Sequence, residues 1–162
     1  MRVAVLTVSD GVSRGKRQDA SGDAIEAWVR EQGGVVTVRA VVADEAAAIR
    51  QALTGWSDSG AVDVVLTSGG TGLTDRDVTP EATTAVLERA APGISEALRS
   101  AGAASTPHSW LSRGVAGTRG RTLIINLPGS TGGVRDGLRV LAQLLPHAVQ
   151  LIRGQDTQHH DA

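Results

Sequence analysis

Four short apolar runs, separated by longer stretches of mixed polarity, constrain the fold of this 162-residue chain more than any other feature. Nearly continuous apolar runs of this length are typical of strands that are buried on both faces of a parallel sheet. A polar or glycine-containing segment follows each run, so each predicted strand ends in a turn. The runs are residues 3–8, 35–42, 62–67 and 122–127.

The stretches between these runs carry apolar residues at helical spacing. Ile25, Trp28 and Val29 recur at i, i+3 and i+4 and predict one buried stripe on an amphipathic helix. Strands that alternate with helices predict an α/β fold, a three-layer sandwich with a mostly parallel central sheet. Five helices are predicted. The first covers residues 21–32, the second begins at Asp44, and the fourth covers residues 94–101. The third is capped by Thr79 and buries Val86, Leu87 and Ala90, and the fifth follows residue 133 and is kinked or split by Pro146.

A glycine-rich loop and an acidic turn follow the third apolar run. The loop reads Ser68-Gly69-Gly70-Thr71-Gly72, and Asp75 and Asp77 lie just beyond it. Small residues let backbone N–H groups approach a phosphate, and carboxylates can hold the magnesium that accompanies a nucleotide. The loop has neither the Lys-Ser/Thr pair of a Walker motif nor the spaced glycines of a dinucleotide fingerprint. A tight turn would use the same glycines and a solvated turn the same aspartates; their combination favours anion binding.

Polar segments at the ends of the predicted strands point to one site. The carboxyl ends of parallel strands meet at one edge of a sheet, where ligands of such folds bind. We therefore expect the four segments to lie close together. Asp44 also stands where a helix N-cap belongs, so a capping role and a ligand-binding role both remain open for it. The segments are Ser9 with Asp10, Asp44, residues 68–77, and Pro128 with Gly129 and Ser130.

Composition excludes several classes of protein. There is no cysteine, which excludes disulfides, thiolate metal sites and a cysteine nucleophile. A net charge of −1 gives no indication of nucleic-acid binding. No apolar run approaches the roughly 20 residues that span a membrane, and no signal-peptide pattern is present, so we expect a cytoplasmic protein. We also expect a single domain over residues 1–153 and a disordered polar tail over residues 154–162.

At these motifs the chain resembles the Mog/MoaB-type molybdopterin adenylyltransferases of molybdenum cofactor biosynthesis. The resemblance implies an α/β sandwich that transfers AMP from ATP to molybdopterin with Mg²⁺ and releases pyrophosphate. It also implies a homo-oligomer, a trimer or a hexamer, with a molybdenum-insertion protein as a possible partner. The matching segments are residues 6–10 (LTVSD), 18–22 (QDASG), 42–45 (VADE), 67–83 (TSGGTGLTDRDVTPEAT), 111–117 (LSRGVAG) and 125–130 (INLPGS).

The resemblance assigns roles to individual residues. Asp44 and Asp77 match the two active-site aspartates of the family, and we expect them to be catalytic and to bind the metal. Ser112 belongs to the motif associated with molybdopterin, and Arg113 next to it is a candidate phosphate partner. The alternative is a MoaB-like molybdopterin-binding or carrier protein without turnover; retention of both aspartates favours the enzyme. The expected binding residues are Ser9, Asp10, Ser68, Gly69, Gly70, Thr71, Gly72, Asp75, Ser112, Arg113, Pro128, Gly129 and Ser130.

Overall fold

A six-stranded sheet forms the centre of the computed structural model, which describes residues 1–155. The strand order is β2-β1-β3-β6-β5-β4. The first four strands in this order are parallel to one another, and β5 and β4 continue the sheet in antiparallel pairing. The prediction of a mostly parallel central sheet is therefore confirmed. The strands are β1 (Arg2–Val8), β2 (Val35–Val42), β3 (Val64–Ser68), β4 (Arg89–Ala90), β5 (Ala116–Arg119) and β6 (Thr122–Leu127).

Helices cover both faces of the sheet, which completes the three predicted layers. Alternate residues of β1 enter different cores. Val5 packs with helices α2 (Ala20–Glu31) and α6 (Thr131–Ile152) on one face, and Leu6 packs with α3 (Ala46–Asp58) and α4 (Thr79–Thr84) on the other. Both side chains are fully buried. The helices are α1 (Asp10–Ser13), α2 (Ala20–Glu31), α3 (Ala46–Asp58), α4 (Thr79–Thr84), α5 (Pro92–Ala103) and α6 (Thr131–Ile152), with a 3-10 helix at Pro107–Leu111.

The helix after the acidic turn differs from its prediction at both ends. Val78 occupies the N-cap position, and Thr79 is fully buried with its hydroxyl donating to the carbonyl oxygen of Gly69 at 2.9 Å. The helix stops at Thr84, and Ala90 lies exposed in β4 instead of on a buried helical face. Residues 89 and 90 instead pair with β5 through backbone hydrogen bonds, and the spacing of apolar residues in the sequence does not reveal this pairing.

Pro146 does not split the last helix. Helix α6 continues from Thr131 to Ile152 with Pro146 inside it. Leu141 and Leu145 before the proline and Val149 after it are buried in the same core. Packing of both halves against one face of the sheet compensates for the missing backbone hydrogen bond of the proline.

The end of the chain is described only in part. Gly154 and Gln155 follow α6 in a turn, and the rest of the predicted tail, residues 156–162, lies outside the described residues. Within residues 1–155, no helix has both the length and the apolar character needed to cross a membrane.

Candidate active site

Two adjoining cavities open at the carboxyl edge of the parallel strands. The first cavity, about 670 Å³, lies between the glycine loop, α5 and the start of α6. The second cavity, about 560 Å³, lies between the glycine loop, the end of β1 and the start of α2. Four residues line both cavities and form their shared border: Gly70, Asp77, Gly129 and Ser130. All four predicted strand-end segments contribute to the lining of the second cavity, as expected from the parallel sheet.

The glycine loop is held in a conformation that requires glycine. Gly69 and Gly70 have φ angles of +96° and +65°, in the left-handed region. A Cβ atom on Gly69 would lie 2.2 Å from the carbonyl oxygen of Val8, and one on Gly70 would lie 2.3 Å from Oγ1 of Thr79. The loop therefore packs directly against the end of β1 and the start of α4. Ser68 is buried at the wall of the second cavity, and Thr71 is buried at the wall of the first.

Asp10 and Asp44 exchange hydrogen bonds between backbone and side chain just beyond the ends of β1 and β2. The backbone N–H of Asp10 donates to Oδ2 of Asp44 at 2.8 Å, and the backbone N–H of Asp44 donates to Oδ1 of Asp10 at 3.1 Å. Glu45, not Asp44, is the N-cap of α3, so the capping role of Asp44 is wrong. The physical reason is that its carboxylate turns toward β1. Its Oδ1 lies 3.1 Å from the position of a Cβ on Gly70, at the glycine loop.

Arg76 ties the acidic turn to this aspartate pair. Its guanidinium donates to both carboxylate oxygens of Asp10, with Nη2 2.9 Å from each of them. The hydrogen bond with the backbone of Asp44 and the Arg76 contact hold the pKa of Asp10 below its usual value. Asp10 is therefore ionised and engaged, and it acts as a support between Asp44 and the turn that carries Asp77.

Asp77 stands on the border between the two cavities. Its Oδ2 accepts hydrogen bonds from the backbone N–H of Thr74 at 3.0 Å and from the Thr74 hydroxyl at 2.7 Å. Burial raises the pKa of this carboxyl, but the hydrogen bonds from Thr74 and Gly72 outweigh burial and lower the pKa overall. Asp77 thus presents a negative charge at the border. Asp75, by contrast, is exposed and lines neither cavity.

Arg113 holds the acidic turn through backbone carbonyl groups of that segment. Its Nε donates to the carbonyl oxygen of Gly72 at 2.7 Å, its Nη2 donates to that of Asp77 at 2.6 Å, and its Nη1 pairs with Glu81. The guanidinium is engaged with the loop and lies outside the residues that line the two cavities. Its predicted contact with a phosphate stays a prediction. Its visible role is to position Asp77.

The loop between β6 and α6 completes the border. Ser130 is the N-cap of α6, where its Oγ accepts from the backbone N–H of Gly133 at 3.2 Å. Gly129 lies against Gly69, since a Cβ on Gly129 would be 3.3 Å from the Cα of Gly69. Pro128 lines the first cavity. Residues of two loops therefore line the same space, beside the positive end of a long helix.

The remaining predicted residues lie on separate walls. Ser9 lines the second cavity and caps α1, with its Oγ accepting from Val12 N–H at 3.2 Å. Ser112 lines the first cavity. Nη1 of Arg99 donates to the carbonyl oxygens of Ser112 and Gly114 at 3.2 and 3.0 Å, which fixes the backbone beside Ser112.

Sequence reasoning missed the wall that α5 contributes to the first cavity. Ser95, Arg99 and Gly102 line it from one face of the helix, at spacings of i, i+4 and i+7. Their i, i+4 and i+7 spacing on the predicted helix is the signal that could have placed them on one face. The stripe mixes polar and small residues, however, so the apolar pattern gave no signal for it.

The carboxylates fit a metal ion that arrives with a substrate. Within residues 1–155, no three or more histidine, aspartate or glutamate side chains are grouped so that they could hold a metal ion by themselves. Asp44 and Asp77 both line the second cavity. Magnesium in nucleotide sites is commonly bound by one or two carboxylates together with substrate phosphates and water. Two carboxylates beside the glycine loop match the protein part of that donor set.

Comparisons with known proteins agree with this architecture. A family model described as "Probable molybdopterin binding domain" matches residues 4–147. The molybdopterin adenylyltransferase of Helicobacter pylori is 38% identical over 98% of this chain and 91% of that protein. Gephyrin of Dictyostelium discoideum is 43% identical over 94% of this chain but only 23% of its own length. The chain spans less than half of the length of several curated relatives that it matches.

A solved structure gives the same result in three dimensions. The crystal structure of the molybdopterin biosynthesis enzyme MoaB from Thermus thermophilus matches with a TM-score of 0.89 and 48% identity. The match covers 94% of this chain and 96% of that structure. The family model spans most of the sequence, including the glycine loop, both aspartates and the loop before α6. The chain therefore belongs to the molybdopterin-binding domain family of molybdenum cofactor biosynthesis.

Proposed function

We propose that this chain is a molybdopterin adenylyltransferase, a nucleotidyltransferase that moves AMP from ATP to molybdopterin and releases pyrophosphate. The observation that carries the proposal is the shared border of two cavities, which has Asp77, two glycines and Ser130 in common. A transfer between two substrates needs two binding spaces that meet where the bond forms. Each cavity also lies within the usual size range of small-molecule sites, about 300 to 1,000 Å³.

We assign molybdopterin to the first cavity and ATP to the second. Ser112, from the motif associated with molybdopterin, lines the first cavity. Ser68, Gly69 and Asp44 line the second. Backbone N–H groups of the glycine loop and of the loop before α6 would hold the triphosphate of ATP, because such groups bind anions without a counter-charge. The terminal phosphate of molybdopterin would then reach the border from the other side.

The reaction balances without an added proton donor or acceptor. An oxygen of the molybdopterin phosphate forms a bond to the α-phosphorus of ATP, the bond from that phosphorus to the bridging oxygen breaks, and pyrophosphate leaves with the electron pair. A phosphate nucleophile is already ionised at neutral pH, so a general base is not required. The protein orients the two phosphates, and Asp44 and Asp77 would hold Mg²⁺. When bound there, Mg²⁺ neutralises the negative charge on the phosphates.

The test is product formation by the purified chain. With ATP, molybdopterin and Mg²⁺, we expect stoichiometric release of pyrophosphate and formation of adenylylated molybdopterin, measured by a coupled pyrophosphate assay and by mass spectrometry. Addition of a chelator should stop both. Saturable molybdopterin binding with no pyrophosphate release would contradict the enzyme and identify the carrier without turnover.

We further propose that the protein acts in the cytoplasm as a homo-oligomer, a trimer or hexamer, and passes its product to a molybdenum-insertion protein. Two exposed apolar side chains support self-association: Trp110 is 58% exposed and Leu111 is 53% exposed. Exposed neighbouring apolar residues of this size favour contact with another protein surface.

A further inference from the structure

Helices α5 and α6 form the wall of the first cavity away from the glycine loop. Ser95 and Leu98 line it from α5, and Asp136 and Gly137 line it from α6. The helices approach closely at Gly137, where a Cβ atom would lie 3.3 Å from Cδ2 of Leu98. This wall carries two polar side chains whose bonding is incomplete.

Ser95 is the first of these side chains. It is 4% exposed, and within residues 1–155 its Oγ has no hydrogen-bond partner. A buried hydroxyl without a partner is unfavourable, so such groups generally have a structural or functional explanation. Because Ser95 lines the cavity, its hydroxyl is a candidate donor to a molecule bound there.

Asp136 is the second. Its side chain is only 14% exposed, and one carboxylate oxygen, Oδ1, accepts from Nη1 of Arg139 at 2.6 Å. Arg139 is 76% exposed, and ion pairs with such exposed partners contribute little to stability. The ion pair alone therefore does not explain a carboxylate on a cavity wall. Within residues 1–155, Oδ2 accepts no hydrogen bond.

We infer that Asp136 and Ser95 bind the amide edge of the pterin ring, an inference that rests on the proposed function. The pterin ring carries a ring N–H next to an exocyclic amino group, two parallel donors that match the two lone-pair directions of a carboxylate. The ring carbonyl beside them can accept from a hydroxyl. Asp136 would take the donors, and Ser95 would donate to the carbonyl.

The positions along α6 agree with this orientation. Asp136 lies six residues beyond Ser130, which is about 9 Å along a helix with a rise of 1.5 Å per residue. A ligand whose phosphate reaches the border at Ser130 would place its ring toward Asp136. The negative charge of Asp136 also disfavours the reverse orientation, because it would repel the phosphate.

The experiment compares matched variants in steady-state kinetics and ligand titration. Asp136→Asn should raise the KM for molybdopterin at least about tenfold and leave the KM for ATP unchanged, because a hydrogen bond to a charged group is lost. Ser95→Ala should raise the KM for molybdopterin about threefold to tenfold without loss of thermal stability. Ser57→Ala is the matched control, since Ser57 on α3 is also buried with an unpartnered hydroxyl but lines neither cavity.

A change of ring tests recognition separately from stability. In fluorescence titrations, wild type should prefer a phosphate-bearing pterin over the lumazine analogue, which has an oxygen in place of the amino group. Asp136→Asn should lose that preference, and Arg139→Gln, which removes only the surface ion pair, should keep it. If the wild type is active and both Asp136→Asn and Ser95→Ala keep the wild-type KM and ring preference, this inference is overturned and the proposed function stands. A wild type that forms no adenylylated product would overturn the proposed function as well.

Discussion

At the scale of single residues, the aspartates at the cavity border have different hydrogen-bonding duties. Asp10 accepts from Arg76 and from the backbone of Asp44, so both of its oxygens are engaged. Asp44 has one oxygen on the Asp10 backbone and the other at the glycine loop. Asp77 accepts a hydrogen bond from the hydroxyl of Thr74 and lines both cavities. Asp10 therefore positions the site, whereas Asp44 and Asp77 are the two carboxylates that we propose contact substrate or metal.

Replacement of Asp77 by asparagine removes the negative charge of the side chain and keeps its size and a hydrogen-bond acceptor. The side-chain oxygen of asparagine can still accept from Thr74, so we expect the fold to persist. Loss of the charge should lower kcat about 100-fold or more, the size of effect seen when an electrostatic contact to a reacting group is removed. Initial rates of pyrophosphate release give the result, and thermal unfolding serves as the control. Wild-type kcat in Asp77→Asn would rule out a metal-binding role.

Asp44→Asn provides an independent test at the other carboxylate. Asparagine keeps an acceptor for the N–H of Asp10, so this variant should also fold. If Asp44 binds the metal, activity should fall and should be partly restored by higher Mg²⁺ concentration. A variant with full activity at low Mg²⁺ would show that Asp44 only joins the ends of β1 and β2.

At the scale of elements, the glycine loop joins β3 to α4 through contacts that leave no room for side chains. The hydroxyl of Thr79 donates to the carbonyl of Gly69, and the N–H of Thr79 donates to the carbonyl of Gly70 at 3.0 Å. The first turn of α4 thus closes the loop. Arg76 ties the acidic turn to Asp10, and Arg113 donates to the carbonyl oxygens of Gly72 and Asp77 within that segment.

Gly70→Ala should damage the site beyond its effect on backbone strain. Gly70 and Gly120 both have positive φ, +65° and +54°, but a Cβ on Gly120 would meet nothing within 4 Å. Alanine at Gly120 should cost about 1 kcal/mol from backbone strain and leave turnover intact. Alanine at Gly70 should cost more and abolish turnover, because it collides with buried Thr79. Urea unfolding and pyrophosphate release measure both variants; equal activity in the two would mean that the loop adjusts.

At the scale of the whole molecule, Asp63 links the beginning of the chain to its last helix. It is 3% exposed. Its Oδ1 accepts a hydrogen bond from Nη2 of Arg2 at 2.9 Å, and its Oδ2 accepts one from Nη2 of Arg153 at 2.6 Å. Burial alone would raise the pKa of Asp63, but the hydrogen bonds from both arginines outweigh burial and hold the pKa far below its usual value. The start of β1 and the end of α6 are thereby joined at a single carboxylate.

This linkage predicts a loss of stability in acid. The folded-state pKa of Asp63 is depressed, so its contribution is fully present above the unfolded value of 3.8 and is lost as pH falls below it. Asp63→Asn should reduce the free energy of unfolding at pH 7 by about 2 kcal/mol. The difference between wild type and variant should shrink as pH drops from 4 to 2, as measured by urea unfolding across that range. Asp58→Asn, at an exposed ion pair with Arg119, should show a much smaller difference.

Much of the fold could be predicted from the sequence, because strands that are buried on both faces consist of nearly continuous apolar residues. The valine-rich runs near β1 and β3 were recognisable, since strands between two helical layers must be apolar throughout. The two-residue strand β4 was not recognisable, because its pairing with β5 depends on a partner almost 30 residues away. The continuity of α6 through Pro146 was also hidden, because packing on both sides of the proline keeps the helix together.

The sequence by itself determined the layered α/β architecture and the set of strand ends at which a site would form. It also placed Ser68–Gly72 and Asp77 there, because strand and turn chemistry are local. Only the tertiary structure decided that Asp44 exchanges hydrogen bonds with Asp10 instead of capping α3, that Arg113 donates to the carbonyls of a loop, and that Ser95 and Asp136 line one cavity. Those relations depend on side-chain directions between elements distant in sequence, which packing sets and local pattern does not encode.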